Sequence, residues 1–344
     1  MCSSNATYAV VDGIPQWGVY TEPFTSVNLL DAKFPGLLGR GRGLRRSRLK
    51  EWQHFAIIHP DCYVSFALVD AKFICTSFMC FFDRASRQTV QTEKKKGPGG
   101  IALPDHLWDA RFAFQTSDYF ISVHNCLNER RHGVALDVMM PDGLPVKARF
   151  LIHQDTAQVE PLVAVLPFPS GRPFYTHKAP CPIEGELTVG DRKFTFDSKR
   201  DLALIDVHKA YYPYSTFWNW ATFACREASG RLVALNLTHN VIENDHQYNE
   251  NAAWIDGTLD RLGPARFGIP DDAMNPWEVR TLDGRVDLQF EPHGMRSETI
   301  NLLAAHSSYE QPFGHYSGTI VDSHGEKVQL ENVFGIAERH QVRW

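Results

Sequence analysis

The chain alternates apolar and polar side chains over many short segments, as β-strands do when they bury one face. The clearest case lies between residues 214 and 257. A strand there would place four side chains on one face, because successive side chains point to opposite sides: Thr216, Trp218, Trp220 and Thr222. After a turn at Ser229-Gly230 the alternation resumes, and Asn236 interrupts an otherwise apolar row. The stretch therefore predicts a hairpin that carries polar groups into a core.

Hairpin signals recur along the whole chain, whereas amphipathic helical windows are scarce. Gly190-Asp191 and Asp283-Gly284 separate alternating runs and predict tight turns, as does Asp256-Gly257. The sequence predicts an all-β protein with few helices, made of antiparallel sheets that close or nearly close, since closure removes exposed strand edges. A length of 344 residues suits two domains. A proline-rich midpoint places their junction near residue 165, giving domains of 1–165 and 166–344.

The two halves carry a related pattern. A shift of 166 residues places Trp52 on Trp218 and His54 on Trp220, and the same shift places Asp70 on Asn236. Two matches at one offset indicate a duplicated β-unit. Chance similarity between two amphipathic hairpins is the alternative.

Composition limits the classes of partner and compartment. The net charge is −5, which argues against a general nucleic-acid binder, and no apolar run is long enough to predict a membrane span. A basic segment at 36–50 could contact phosphates, but a solvated loop explains it more simply. The N-terminus lacks a signal-peptide pattern, and the seven cysteines form no CxxC pair. We therefore expect a cytoplasmic protein with reduced thiols, and the sequence predicts no oligomeric state.

Ionisable side chains within apolar strands are the candidates for catalysis, since burial moves pKa values toward those that acid/base chemistry needs. The candidate catalytic residues are Glu250, His54, Asp206, His208 and Glu51. The candidate substrate-binding residues are Trp52, Tyr175, Lys178, Trp218, Trp220, Asn236, Asn251, Trp254, Gln311 and His315. Each has a structural explanation as well, such as a hydrogen-bonded core histidine at position 54.

Metal and cofactor motifs are weak or missing from the sequence. Only His239, Glu243, Asp245 and His246 offer ligand types in a short stretch, and a loop satisfies such spacing in many ways. The glycines at 39–43 lack the strand and helix of a phosphate-binding loop. We therefore expect chemistry without a metal or other cofactor.

Several ordered segments resemble one family across nearly the whole chain: RLKEWQHF, HPDCY, ALVDAKF, FYTHK, PYSTFWNWA, NENAAWIDG, QPFGHYSG and GIAERHQVRW. Together they are similar to the bacterial family named domain of unknown function 2804. That family looks distantly related to two-domain lipocalin-like proteins, among them carotenoid 1,2-hydratase, AttH-type proteins, tocopherol cyclase and some Diels-Alderases. The resemblance implies two consecutive lipocalin-like (calycin) barrels with an apolar ligand near their interface, and proton delivery to a double bond by a carboxylic acid or His⁺. It assigns no catalytic role to any single position here.

The leading hypothesis is a hydratase, isomerase or cyclase that acts on a largely apolar small molecule in an aromatic-lined pocket, with Glu250 or His54 as the acid/base. A glycoside-processing enzyme that uses paired carboxylates on a sugar-containing substrate is the second hypothesis. A non-catalytic carrier of lipids or other apolar ligands is the third. The arrangement of the acids should separate them, because opposed carboxyls at glycosidase spacing favour a sugar, whereas an unbroken apolar lining favours a carrier.

Overall fold

The computed structural model describes residues 7–36, 41–301 and 306–343, where β-strands are the main regular structure. Within these ranges one α-helix, α1, spans Arg42–Arg48, and 3-10 turns occur at Leu29–Asp31, Leu127–Glu129 and Pro169–Gly171. No helix found in them has the length and apolar character that a membrane crossing requires. The strands are β1 Val10–Val11, β2 Ile14–Pro15, β3 Gly18–Tyr20, β4 Lys50–Ile58, β5 Cys62–Asp70, β6 Cys75–Asp83, β7 Gln88–Lys96, β8 Ala110–Gln115, β9 Tyr119–Cys126, β10 Arg131–Met139, β11 Pro145–His153, β12 Leu162–Phe168, β13 Arg172–Val189, β14 Arg192–Phe196, β15 Leu202–Ala210, β16 Ser215–Arg226, β17 Leu232–Asn240, β18 Ala252–Ile255, β19 Thr258–Arg261, β20 Ala265–Gly268, β21 Trp277–Thr281, β22 Val286–Asn301, β23 His306–Val321 and β24 Lys327–Arg343.

Two large antiparallel sheets follow one another along the chain. The first has the hydrogen-bonded order β7-β6-β5-β4-β15-β13-β11-β10-β9-β8, with β12 and β14 also paired to β13 and β3 paired to β12. The second has the order β19-β18-β17-β16-β24-β23-β22-β21-β20. In both sheets the strand that starts the main meander, β4 or β16, pairs with the last strand, β15 or β24. The prediction of an all-β fold with two consecutive lipocalin-like sheets is confirmed.

The chain passes from one sheet to the other between Ala210 and Ser215. The junction expected near residue 165 falls inside β12, and β12, β13 and β15 all pair within the first sheet. Pro167 and Pro173 face each other in the β12–β13 hairpin, so the proline-rich stretch marks a hairpin and not a linker. We propose units of 7–210 and 215–343.

Buried apolar side chains form three groups. One fills the first sheet, one fills the second, and one lies between the two sheets. On β4, Phe55 enters the first core and Ala56 the layer between the sheets; on β16, Phe223 enters the second core and Ala224 the same layer. Strand alternation thus buries both faces of β4 and β16. The layer between the sheets positions the candidate site.

The predicted turns join the expected strands. Gly190-Asp191 links β13 to β14, Asp283-Gly284 lies between β21 and β22, and Asp256-Gly257 links β18 to β19. In this last turn φ is 52° at Asp256 and 84° at Gly257, and a Cβ added to Gly257 would lie 2.0 Å from the carbonyl oxygen of Gln158. The turn therefore needs glycine at its second position.

The basic segment and the cysteines have plain structural roles. The segment at 36–50 was expected to be a loop, but it contains α1, none of whose residues is buried. Arg40 lies outside the described residues. The described cysteines are free thiols, and all except the half-buried Cys225 are buried, at positions Cys62, Cys75, Cys80, Cys126 and Cys181.

Candidate active site

A cavity of about 270 Å³ lies where β4 and β15 of the first sheet face β16 and β24 of the second. Its walls are largely aromatic, and the rings of the two sheets contact each other. Trp52 of β4 stacks on Trp218 of β16 with ring centroids 6.0 Å apart, and on Tyr212 at 5.6 Å. These are the two tryptophans that the repeat offset equates. The cavity is therefore formed between the sheets and not inside either one.

The wall from the first sheet carries a group that we call the first polar cluster: Lys178, Asp206 and His208. The Lys178 Nζ donates to Asp206 Oδ1 at 2.6 Å, and His208 Nε2 lies 2.8 Å from the same oxygen and 3.1 Å from Nζ. All three side chains are buried. Burial alone would raise the pKa of Asp206, but His208 and Lys178 hold that pKa well below its ordinary value. Asp206 is therefore an anion at neutral pH.

The wall from the second sheet carries the second polar cluster: Gln311, Glu338 and His340. Glu338 is buried and accepts hydrogen bonds from Trp218 Nε1 at 2.5 Å and from Gln311 Nε2 at 2.7 Å. Burial raises the pKa of Glu338 above its ordinary value, although these two bonds oppose the shift. Burial also lowers the pKa of His340 to about 3. The two walls thus move their carboxyl pKa values in opposite directions.

The two polar clusters occupy equivalent places in the two sheets. In the first sheet Trp52 is paired with His208 and His54 with Asp206; the ring centroids of the first pair are 4.7 Å apart. The second sheet repeats this with Trp218 paired with His340, at 4.2 Å, and Trp220 paired with Glu338. In each case a side chain of the next strand, Lys178 or Gln311, donates to the carboxyl group. This register agrees with the predicted duplication.

Glu250 lies in the segment between β17 and β18 and adds a second acid to the wall of the second sheet. Its Oε2 is 3.6 Å from Lys178 Nζ and has no hydrogen-bond partner among the described residues. Asn236 fixes this segment, because its Nδ2 donates to the Glu250 carbonyl at 2.6 Å while its Oδ1 accepts from Trp220 Nε1 at 2.7 Å. The polar Asn236 in an apolar row is thus explained by a support role behind the cavity.

His54 lines the cavity beside the first polar cluster. Its Nε2 lies 2.9 Å from Ser65 Oγ, and its ring makes an edge contact with Trp220 at 5.7 Å. Burial lowers the pKa of His54 to about 4, so the imidazole is neutral at pH 7. The expected proton delivery by His⁺ therefore does not suit this position.

An ionic group connects the two sheets at another part of the cavity. Arg296 of β22 donates to Glu93 of β7 at 3.1 Å, and its guanidinium lies 3.7 Å from the Phe78 ring centre. Lys95 pairs with Glu298 at 2.9 Å. Burial, together with the neighbouring Glu298, raises the pKa of Glu93 to about 7. The cations of this group therefore already lie against carboxyl groups.

Nine of the fifteen candidate residues line the cavity: His54, Asp206, His208, Glu250, Trp52, Lys178, Trp218, Trp220 and Gln311. The other six lie elsewhere. Tyr175 alternates away from Lys178 and enters the core of the first sheet, and Glu51 pairs with Lys72 and Lys209. The remaining four contact other protein groups and do not line the cavity: Asn236, Asn251, Trp254 and His315.

Those four side chains make their hydrogen bonds outside the cavity. Asn236 acts behind the cavity, as described above. Asn251 accepts from the Thr238 amide at 2.7 Å and donates to the Gly263 carbonyl. The Trp254 indole donates to the carbonyl of residue 160 at 2.6 Å, and His315 lies with Arg84 and His293. Trp254 and His315 do lie between the two units, but outside the cavity, so a position in that layer does not by itself place a side chain on the cavity wall.

Glu338 and His340 were not among the sequence candidates, yet both line the cavity. A signal for them exists. The last strand of the first sheet reads Asp206-Val207-His208 and the last strand of the second reads Glu338-Arg339-His340, so an acid and a histidine recur two residues apart. The offset of 166 residues does not align these two pairs, because fewer residues separate β16 from β24 than separate β4 from β15.

The proposed loop ligands for a metal do not converge. Among the described residues only Asp109, His124 and Cys126 bring three potential ligand atoms within 4.8 Å of one another. The alternative set His239, Glu243 and His246 is not gathered in this way. His239 lies in β17, whereas Glu243 and His246 lie in the connection between β17 and β18.

Comparison with protein families identifies the chain. The model of a domain of unknown function, DUF2804, matches residues 11–344. The chain belongs to the DUF2804 family. The recognition made from the ordered segments is thereby confirmed. No curated protein matches this DUF2804 chain.

Solved structures with a similar fold include a hydratase and a complex with a small molecule. The crystal structure of CghA with Sch210972 has a TM-score of 0.50 at 9% sequence identity, covering 86% of this chain and 89% of that one. The crystal structure of kievitone hydratase from Nectria haematococca has a TM-score of 0.50 at 10% identity, covering 86% and 88%. At these identities the similarity concerns the fold.

Proposed function

We propose that this DUF2804 protein is a cofactor-independent acid/base enzyme of hydratase, isomerase or cyclase type that acts on a largely apolar small molecule in the cavity between its sheets. The supporting observation is that buried ionisable groups of both sheets meet at one aromatic-lined cavity. Lys178, Asp206 and His208 lie on one wall, and Glu338 lies on the other. Kievitone hydratase, by its name, supports this class of reaction through its similar fold.

Glu338 is the proposed proton donor, in place of the expected Glu250 or His54. A carboxylic acid acts at neutral pH when burial keeps it protonated, and the pKa of Glu338 is shifted in that direction. Trp218 and Gln311 both donate to this carboxyl group, so neither accepts its proton. The Tyr309 hydroxyl is a further hydrogen-bond partner of Glu338, and a substrate takes the proton in its place in the proposed reaction.

The first polar cluster is the proposed counterpart of this acid. In a hydration, the Glu338 proton forms a C–H bond with the π electrons of a double bond, and positive charge develops on the neighbouring carbon. The ionised Asp206 and the Trp52 face stabilise that charge. Water then adds to the cation while His208 accepts the proton that the water loses. His208 then releases this proton to solvent and solvent returns one to Glu338, so both groups regain their starting state and the net change is addition of one water molecule.

Tests of this proposal follow hydrogen and oxygen isotopes. The protein is incubated with a metabolite extract of its source organism in D₂O or H₂¹⁸O, and enzyme-dependent products are found by mass spectrometry. A hydratase adds water and incorporates ¹⁸O without cleaving the substrate, whereas an isomerase or cyclase gains deuterium from solvent with no added water.

The control variants separate the donor from its neighbours. Glu338→Gln should lower the rate at least about 100-fold. Glu310→Gln, on the same hairpin at a half-buried residue that pairs with Arg339 and does not line the cavity, should leave the rate unchanged. Glycoside cleavage in this assay would favour the carboxylate-pair alternative. Wild-type rates in Glu338→Gln would refute the assignment of the donor.

A further inference from the structure

Three residues that line the cavity from the second sheet each carry a buried oxygen atom with no hydrogen-bond partner among the described residues. The atoms are Glu250 Oε2, Gln311 Oε1 and Thr238 Oγ1. The exposed fractions of these residues are 3%, 1% and 9%, so bulk water does not readily satisfy them. A buried polar atom that lacks a partner costs free energy, and a ligand that supplies one recovers it.

The chemistry of these atoms indicates what the ligand brings. The Glu250 and Gln311 oxygens accept hydrogen bonds, and the Thr238 hydroxyl accepts as well as donates. Gln311 already uses its amide Nε2 to donate to Glu338 at 2.7 Å, which leaves its oxygen as the free end. A matching ligand therefore presents hydrogen-bond donors to this wall.

The charges of the cavity argue against an anionic ligand. Among the described residues its two buried cations are Lys178 and Arg296, whereas Lys95 and Arg343 line it with more exposed side chains. Lys178 lies against two carboxyl groups, Asp206 and Glu250, at 2.6 and 3.6 Å. Arg296 likewise lies against Glu93 and Glu298, at 3.1 and 3.7 Å. A carboxylate or phosphate would have to compete with two resident acids for either cation, whereas a hydroxyl group meets unpartnered acceptors.

The rest of the lining requires an apolar body. Trp52, Phe168 and Phe174 of the first unit and Tyr212 of the connection between the units line the cavity together with the three acceptors. Aromatic faces of this kind pack well against unsaturated or aromatic carbon skeletons.

We propose that the ligand of this cavity is an uncharged, largely apolar molecule with an unsaturated or aromatic skeleton and at least two hydroxyl groups, which donate to Glu250, Gln311 and Thr238. This inference rests on the proposed function, because it takes the cavity as the substrate site. It narrows the substrate class to hydroxylated unsaturated compounds and separates them from anionic lipids and plain hydrocarbons.

The test measures binding and not turnover, so its result does not depend on whether the proposed reaction occurs. Isothermal titration calorimetry compares trans-resveratrol, a hydroxylated stilbene, with its trimethyl ether, with unsubstituted trans-stilbene and with cellobiose. Resveratrol should bind at least about tenfold more tightly than its ether, since a site built for hydroxyl donors rejects an analogue that lacks them. Equal affinities, tighter binding of cellobiose, or binding of none of the four would overturn the inference.

A pair of matched variants assigns the binding to this wall. Thr238→Val removes one acceptor at nearly constant volume and should weaken resveratrol binding roughly three- to tenfold. Thr216→Val is the control, since Thr216 is also buried with an unpartnered hydroxyl but does not line the cavity. Equal effects of the two variants would refute the assignment. Selective binding together with an inactive enzyme would refute the proposed reaction and leave the ligand class intact.

Discussion

The ion pair between Lys178 and Asp206 gives the most direct test of how this site is stabilised. The Nζ–Oδ1 distance is 2.6 Å and the two side chains are 6% and 10% exposed. Lys178→Met keeps most of the side-chain volume but leaves Asp206, and Glu250 at 3.6 Å, without their cation. Removing one partner of a buried pair costs about 3–5 kcal/mol. Because His208 remains beside Asp206, we expect the lower end, about 3 kcal/mol of unfolding free energy.

A double-mutant cycle isolates the interaction from the loss of packing. Lys178→Met with Asp206→Asn removes both charges, so the double variant should be more stable than the sum of the single losses by about 2 kcal/mol. The assay is urea unfolding at pH 7 followed by tryptophan fluorescence. The control is the surface pair Lys147 and Asp137, which lie 3.0 Å apart with side chains 63% and 59% exposed. An exposed pair of this kind couples by about 0–1 kcal/mol.

The same variant changes the dependence of stability on pH. The folded-state pKa of Asp206 is lowered, so its ionised form stabilises the fold above the unfolded pKa of about 3.9, and this contribution is lost as pH falls below that value. Without Lys178, less positive charge opposes the effect of burial, so the folded-state pKa of Asp206 rises. Acid unfolding should then begin at a higher pH. A loss under about 1 kcal/mol with no coupling and an unchanged acid transition would refute the reasoning.

Three further outcomes follow from the same structure. The rate of the proposed reaction should fall as pH rises through the raised pKa of Glu338, because only the protonated acid donates; a rate that rises there in a pH–rate profile would contradict this. Gly257→Ala should cost about 2–4 kcal/mol in urea unfolding, since φ is 84° and a Cβ would meet the Gln158 carbonyl, whereas Gly230→Ala, with φ of 88° and open space, should cost less. The Cys80 and Cys181 thiols should resist alkylation in native protein and react in urea, as peptide mass spectrometry would show, because burial raises both thiol pKa values. Modification of either at its unfolded rate would disprove that burial.

The fold could be predicted because strand alternation and turn residues are local signals. The faces assigned to Trp218 and Trp220 in the sequence are the faces that the structure has, and the Asp256-Gly257 turn lies where its residue types require. The site could be predicted only in part. Tyr175 and Lys178 are three residues apart in one strand and therefore lie on opposite faces, but the sequence does not say which face meets the other sheet.

Packing between distant segments accounts for most of what was missed. Glu338 lies 132 residues from Asp206 in the sequence. The pairing of β4 with β15 and of β16 with β24 brings the two acids to one cavity. The proline-rich midpoint was misleading for a related reason, since composition does not distinguish a hairpin from a linker. Pairing between strands far apart in the sequence determines both the position of Glu338 and the place of the midpoint in the first sheet.

The position of the cavity between two similar sheets has a consequence for how such a site can vary. Two identical sheets associating as a homodimer would present the same residues on both walls, because a twofold axis relates every contact to its copy. Joining the sheets in one polypeptide removes that constraint. One wall here has a lysine beside its acid and the other a glutamine, so a single chain holds two acids whose pKa values are shifted in opposite directions.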